Sequence, residues 1–465
     1  MQKRDIVIIG AGLTGLSTAF NLKRQGREVL ILEKADRIGG QIRTYHEDGF
    51  TYESGPNTGV VSFPEVTELF QNLQGSCELE TARESSKRRL IWKGNSFHAL
   101  PSGPLSAITT PLFTLSDKFR ILGEPWRKKG EDPDEPVGAL AQRRLGKSFY
   151  EYAVDPFVSG VYAGDPMKLT TRYALPKLYN LEANYGSFIR GAMAKAKEPK
   201  TDRDRLATKK VFSAVGGLQK MVEALAADIE IILNAKNIRV MPEPDGYWKI
   251  TFGGHEFRAR HVVTTVGAYE LPNLLPFIPE EELRPISQLF YAPIIQVCVG
   301  IRDAGNLVYP AFGGLVPSKE KKQVLGILFP SECFTGRAPE GGALYSYFMG
   351  GARHQDYLQK SDEEIRKMVL DAFHTMLKYP NNIEPDMIRI FRHEHAIPQY
   401  GVDSGERFAA VERLQQQYPG LTLAGNLRDG IGMGNRIHQG ATIAAELDYE
   451  AQRLAKDLDK AARSS

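Results

Sequence analysis

Asp5-Ile-Val-Ile-Ile-Gly10-Ala11-Gly12-Leu13-Thr14-Gly15, running on into Leu16 to Gln25 and then Glu28-Val-Leu-Ile-Leu-Glu33-Lys34, decides how this chain begins to fold. Ile6 to Ile9 is a short apolar run of the kind buried in a parallel sheet, and Ala19 and Leu22 at helical spacing supply a crossover helix. Each glycine has a task. Gly10 permits the tight turn, Gly12 lets the backbone approach a pyrophosphate, and Gly15 lets helix pack on strand, while the helix N-terminus offers unpaired N–H groups to the phosphates. Glu33 follows about twenty residues later, where a carboxylate accepts from a ribose hydroxyl and repels a 2′-phosphate. The unit is a dinucleotide grip, and by itself it leaves NAD and FAD open.

Working outward, 465 residues predict two or three domains with a core large enough to need no staples. The net charge of +3 is too small to argue for a nucleic-acid partner. Cys77, Cys298 and Cys333 are widely spaced and form no metal or redox motif, so they read as small buried hydrophobes in a reducing compartment. His393-Glu394-His395 would point its histidines to one face of a strand, but without further ligands it reads as structural, and no metal is expected. Met1-Gln-Lys-Arg enters the first strand directly, with no signal peptide, and no apolar stretch reaches the roughly twenty residues that cross a bilayer. The expectation is a cytoplasmic protein. Leu105 to Leu115 is short, apolar and interrupted by proline; it reads as core or loop, with a membrane interface as the alternative.

Along the chain, Pro64 opens an amphipathic helix, Lys93-Gly94-Asn95 turns a hairpin, and residues 116–190 are helical around an acidic solvated turn, Glu131 to Glu135. Lys195 to Lys210 reads as a charged surface loop. Separate strands are expected at 229–233, 238–241, 247–252, 256–258 and 261–267. A second sheet follows from 292–301, 324–329 and 343–349, with helices at 361–378 and 408–418. Leu421 to Asn426 leads into Asp429-Gly430-Ile431-Gly432-Met433-Gly434 and a long helix from about His438, a second glycine turn aimed at a helix N-terminus.

Gly39-Gly40-Gln41-Ile-Arg43-Thr44, followed by Phe50-Thr-Tyr-Glu53-Ser-Gly55-Pro56-Asn57, resembles the flavoproteins that include amine oxidases, phytoene desaturases and protoporphyrinogen oxidases. That resemblance selects FAD. It implies an α/β fold of the amine-oxidase and p-hydroxybenzoate-hydroxylase kind. A discontinuous Rossmann-like FAD domain (1–80, 205–275, 420–465) would carry a mixed-sheet substrate domain (81–100, 276–419) and an inserted, membrane-facing helical domain (101–204). The stretches Arg89 to Pro101, Ala141 to Gly146, Gly160-Val-Tyr-Ala-Gly-Asp165, Phe312 to Ser318, Val324 to Ile327, Phe348-Met-Gly-Gly-Ala-Arg353 and Ile397 to Tyr400 resemble the oxygen-dependent protoporphyrinogen oxidases over essentially the whole chain.

The resemblance implies a flavoenzyme of haem biosynthesis taking six electrons from a porphyrinogen, with O2 as acceptor and peroxide as product. Protoporphyrinogen IX is the substrate expected, since Arg89 leans towards it, with coproporphyrinogen III as the alternative. At greater distance stand an amine oxidase or desaturase and a non-catalytic FAD- and porphyrin-binding scaffold. Carried over by position, Arg89 pairs with a propionate, Leu325 and Phe348 sandwich the macrocycle, and Gly160 lies beside it. FAD contacts fall on Gly10 through Gly15, Glu33, Lys34, Gly40, Gln41, Arg43, Gly55, Pro56, Asn57, Thr58, Ile238, Ile431, Gly432 and Met433. No side chain is expected to act as a catalytic group, because the flavin carries the chemistry. Peripheral membrane contact, hand-over to a ferrochelatase, and a monomer or homodimer complete the implied partners. The chain departs from the family where Gly434-Asn435-Arg436 replaces the usual Asn-Asp-Cys, and after Tyr400, where it reads Gly-Val-Asp-Ser.

Overall fold

The computed structural model describes residues 2–464, with the side chains of Pro104 and of residues 454–464 set aside. Two seven-stranded sheets organise it. In the first, the strand Gln2–Ile9 lies between Val29–Leu32 and His255–Thr264, parallel to both, because Ile6 to Ile9 are buried on both faces. Glu230–Ile232 extends this sheet beyond Val29–Leu32, and Leu421–Leu423 adds in parallel to the C-terminal half of His255–Thr264. The antiparallel strands Trp248–Phe252 and Arg239–Pro242 close the other edge.

One face of this sheet is covered by the helices Leu13–Arg24, Pro64–Asn72, Gln219–Ala226 and Met433–Ser464, which share a core through Leu16, Val66, Met221 and Ile437. The first and last of these touch closely. A Cβ on Gly440 would come within 2.6 Å of Ser17 Cβ, so glycine there sets the helix spacing. On the other face, Leu274, Ile286 and Leu414 come from helices Leu271–Leu274, Glu280–Ser287 and Ser404–Gln417.

The second sheet runs Met387–Pro398, Tyr291–Ile301, Ala343–Gly350, Gly326–Leu328, Gly313–Leu315, Arg89–Lys93, Ser96–Ala99. It is antiparallel except where Gly313–Leu315 pairs in parallel with Arg89–Lys93. All eleven residues of Tyr291–Ile301 are buried, as a central strand covered on both faces requires. Asp362–Thr375, opened by a capping box between Ser361 and Glu364, packs on one face through Ile365 and Phe373. Residues 104–197 form short helices, bound internally by a buried cluster in which Arg144 bridges Glu124 and Glu182.

Several local expectations change. Residues 256–258 and 261–267 are joined in one strand, His255–Thr264, in which Glu256, Arg258 and Arg260 alternate with buried Phe257 and Ala259 and Val262 to Thr264 are all buried. The charged segment near 200 contains a helical turn, Asp202–Arg205, opened by a Thr201–Asp204 capping box. Asp134 and Glu135 are not simply solvated, since they pair with Arg172 and Arg143. The last helix starts at Met433, five residues earlier than the His438 expected, and this moves its N-terminus into the site.

Candidate FAD and substrate site

The glycine turn after Gln2–Ile9 shows why each glycine is there. Gly10 has φ +106°, and a Cβ on it would meet Thr265 Oγ1 at 2.7 Å. A Cβ on Gly15 would sit 2.1 Å from Gly10 O, so the helix could not close on the strand. At Gly12 nothing lies within 4 Å of that position. Protein packing explains the outer two glycines; the middle one, the helix N-cap, leaves open space into which a ligand can come. Helix Leu13–Arg24 has no side-chain cap, and its first bond runs from Leu16 N to Gly12 O, which leaves its leading N–H groups for an anion. Glu33 is 8 % exposed. Its two oxygens accept from Ala11 N at 2.7 Å and Ala35 N at 2.8 Å, fixing a carboxylate beside the turn.

The chain returns to this place after Leu421–Leu423. Gly425 has φ +94°, and Arg436, buried, ties the following turn together. Its Nη1 donates to Gly425 O and to Gln439 Oε1, and its Nη2 to Arg428 O and Gly430 O at 2.8 and 2.9 Å. Burial holds the guanidinium below its usual pKa, yet it stays charged. Gly430 N donates to Tyr400 Oη at 3.2 Å, and the helix then starts at Met433 with its N-terminus at the turn.

A third wall is Gly55 to Thr58. A Cβ on Gly55 would lie 2.1 Å from Gln41 O, and Asn57 Oδ1 accepts from Ser346 Oγ at 3.0 Å. Behind it Glu53 is buried, accepts from Leu218 N and Thr44 Oγ1, and has its carboxyl pushed up to about 7 by desolvation. Gln296 Nε2 donates to Glu53 O at 2.7 Å and ties this wall to the second sheet.

These walls enclose one cavity of about 2230 Å3 that runs from Glu33 and Ile238 to Arg89. Its far end is a chamber lined by Phe157, Gly160, Phe312, Leu315, Ile327 and Phe348. Arg89 stands there with its guanidinium 4.1 Å from the centroid of the Phe312 ring. Its hydrogen bonds, to Ser86 O and Lys87 O, are both 3.4 Å long, and burial lowers its pKa. Among the described residues no carboxylate pairs with it. Part of its solvation has been removed and no protein anion replaces it.

A model of the flavin-containing amine oxidoreductases matches residues 13–447. The chain belongs to that family. It binds FAD and is an oxidoreductase. Among its relatives, the mitochondrial protoporphyrinogen oxidase of Nicotiana tabacum is 30% identical over 485 aligned residues, which cover 95% of this chain and 94% of that one. The protoporphyrinogen oxidase of Homo sapiens is 28% identical, over 96% and 98%. Two solved structures share the fold. One is an Exiguobacterium sp. 255-15 protein provisionally assigned as a protoporphyrinogen oxidase, with TM-score 0.80, 24% identity, and 96% and 99% of the two chains covered. The other is the cyclohexylamine oxidase of Brevibacterium oxydans, with TM-score 0.69, 17% identity, and 97% and 99% covered.

Within this family's FAD cleft the open space at Gly12, the uncapped helix and the fixed Glu33 suit the adenosine and pyrophosphate half. The cleft wall holds Gly10, Gly12, Leu13, Thr14, Glu33 and Lys34. It continues through Gly40, Gln41, the segment 55–58, Ile238 and the segment 431–433. Ala11 and Gly15 lie behind it. Two further expected contacts are not on the wall. Arg43 is exposed, with its guanidinium 4.6 Å from the centroid of the Tyr45 ring, because the short strand Thr44–Glu47 turns away from the cleft immediately after it. Leu325 precedes the strand Gly326–Leu328 and packs with Ala163, Ala292 and Ile294, while Leu315 on the neighbouring strand lines the chamber in its place. His393 and His395 both face the cavity, and among the described residues no cluster of three metal-ligating groups occurs. Gln296, Phe312, Leu315 and Arg436 escaped sequence reasoning as site residues. Phe312 and Leu315 lay inside a stretch already set apart; Gln296 left one signal, a lone amide in an otherwise apolar strand.

Proposed function

We propose that this flavoenzyme oxidises protoporphyrinogen IX to protoporphyrin IX. The observation that carries the reading is Arg89: a half-buried guanidinium without a carboxylate partner among the described residues, at the end of an apolar chamber continuous with the FAD cleft. An apolar disc with acid groups on one edge fits such a space, because the guanidinium accepts a carboxylate in bidentate fashion and the aromatic and aliphatic walls hold the ring. The names of the relatives point the same way. FAD held in the cleft would supply the hydride-accepting chemistry. Three hydrides and three protons leave the porphyrinogen, removing six electrons, and three O2 become three H2O2. The protein's own part is to anchor the acid edge through Arg89, to press the ring between Leu315 and Phe348, and to keep water away through Phe157 and Phe312.

A tetracarboxylate substrate, coproporphyrinogen III, is the second reading. Lys177 also stands on the cavity wall, over the Phe63 ring, and among the described residues no carboxylate pairs with it. Purified protein given each porphyrinogen in air decides: Soret absorbance with peroxide release supports the reading, the ratio of kcat/KM values ranks the two substrates, and FAD-loaded protein inert to both sinks it.

A cytoplasmic location with peripheral contact to the membrane belongs to the same reading. Leu115, Phe119, Leu122 and Trp126, 67–78% exposed, recur at helical spacing, beside Arg127-Lys128-Lys129. Apolar side chains flanked by cations suit an anionic bilayer surface. No helix among the described residues is long and apolar enough to cross a membrane. The porphyrin formed is a substrate for metal insertion, which makes a ferrochelatase the next enzyme.

A further inference from the structure

Three stretches far apart in the sequence, Asp155 to Asp165, Phe312 to Ser318 and Phe348 to Arg353, meet at one guanidinium. Arg353 Nη1 donates to Asp155 Oδ1 at 2.7 Å and to Ser318 Oγ, and its Nη2 donates to Asp165 Oδ1 at 3.0 Å. Asp155 is buried and also accepts from Ser318 N at 2.7 Å. The two aspartates bracket the helix Asp155–Val161: one opens it, the other lies four residues past its end. Arg353 itself follows the strand Ala343–Gly350 of the second sheet, and Ala352 N donates to Ala163 O at 2.7 Å beside it. The bracketed helix carries Phe157, Gly160 and Val161 of the chamber wall. Its fit is tight, since a Cβ on Gly160 would lie 2.4 Å from Leu315 Cδ2.

We propose that Arg353 is a positioning residue for the substrate chamber: its fork holds both ends of the Asp155–Val161 helix against the second sheet and so sets the gap between Gly160 and Leu315. A planar guanidinium can grip two carboxylates at fixed angles, where a lysine ammonium offers one point of charge. At the N-terminal end the fork shares the load with Ser318, whose N and Oγ also donate to Asp155, while at the other end Arg353 is the cation paired with Asp165 among the described residues. A ring bound in that gap loses contact along a whole face if the helix moves by a fraction of an ångström.

The substrate in the test rests on the porphyrinogen reading; the helix measurement does not. The holoenzyme is compared with Arg353→Gln, Arg353→Lys and the milder Asp165→Asn, which removes one arm only. Expected are a KM for the porphyrinogen raised about tenfold or more, kcat within about twofold, unchanged FAD content, and partial recovery in Arg353→Lys. Hydrogen exchange should quicken over residues 155–161 and not in the first sheet. Unchanged KM and unchanged exchange in Asp165→Asn and Arg353→Gln overturn the proposal, as does a loss confined to kcat or FAD content. A wild-type protein inert to porphyrinogens sinks the functional reading alone, and exchange in Asp165→Asn still decides the latch.

Discussion

Gly12→Ala and Gly15→Ala should separate the ligand-facing glycine from the packing glycine. At Gly12 the backbone has φ −76° and ψ 178°, open to any residue, and the new methyl meets nothing within 4 Å. The apoprotein should therefore lose about 1 kcal/mol or less, the cost of alanine at a helix N-cap. The same methyl occupies space into which a pyrophosphate must come. Taking overpacking at about 1–3 kcal/mol, FAD affinity should fall by roughly 5- to 150-fold. At Gly15 the methyl would lie 2.1 Å from Gly10 O, where real contacts stop at 3.0 Å, so helix and strand must part and the apoprotein itself pays about 1–3 kcal/mol. Urea melts of the two apoproteins and FAD titration by flavin fluorescence give the four numbers. FAD binding by Gly12→Ala as tight as wild type, or an apoprotein as weakened as that of Gly15→Ala, would refute the reasoning.

Arg89→Ala should raise the porphyrinogen KM by about 10- to 100-fold, the worth of a charge-assisted hydrogen bond, with FAD content unchanged; steady-state kinetics beside the flavin spectrum check it. Glu53 has its carboxyl raised from 4.5 to about 7, so its contribution to stability is full below pH 4.5 and is lost as pH rises through about 7. Glu53→Gln should therefore gain on wild type between pH 5 and pH 8, by up to about 3 kcal/mol in urea melts, and parallel pH profiles would contradict it. Arg436→Met leaves the carbonyls of Gly425, Arg428 and Gly430 without their donor, at about 1–3 kcal/mol each; lower thermal stability and lost FAD are expected, read by melting and flavin absorbance. Phe119→Ser with Trp126→Ser should abolish sedimentation with anionic vesicles while leaving turnover in solution intact; unaltered vesicle binding would count against the membrane face.

The sequence by itself determined the cleft that binds FAD. Its signals are local: Gly10, Gly12 and Gly15 are dictated by contacts within one turn and its neighbours, and Glu33 by the length of one βαβ unit, so spacing along the chain carries the geometry. The apolar run Ala343 to Met349 and the amphipathic helix from Ser361, with acids in its first turn, were legible for the same reason. Tertiary structure decided the chamber. Leu315 rather than Leu325 lines it because the pairing of Gly313–Leu315 with Arg89–Lys93 and Gly326–Leu328 fixes which residues reach the wall, and register is invisible in either short segment. Arg436, which looked like a departure from a motif, became the brace of the glycine turn only once three carbonyls converged on it. Arg353 reaches Asp155 and Asp165 across nearly two hundred residues. Such pairings depend on how separate elements pack, and no period or spacing along the chain records them.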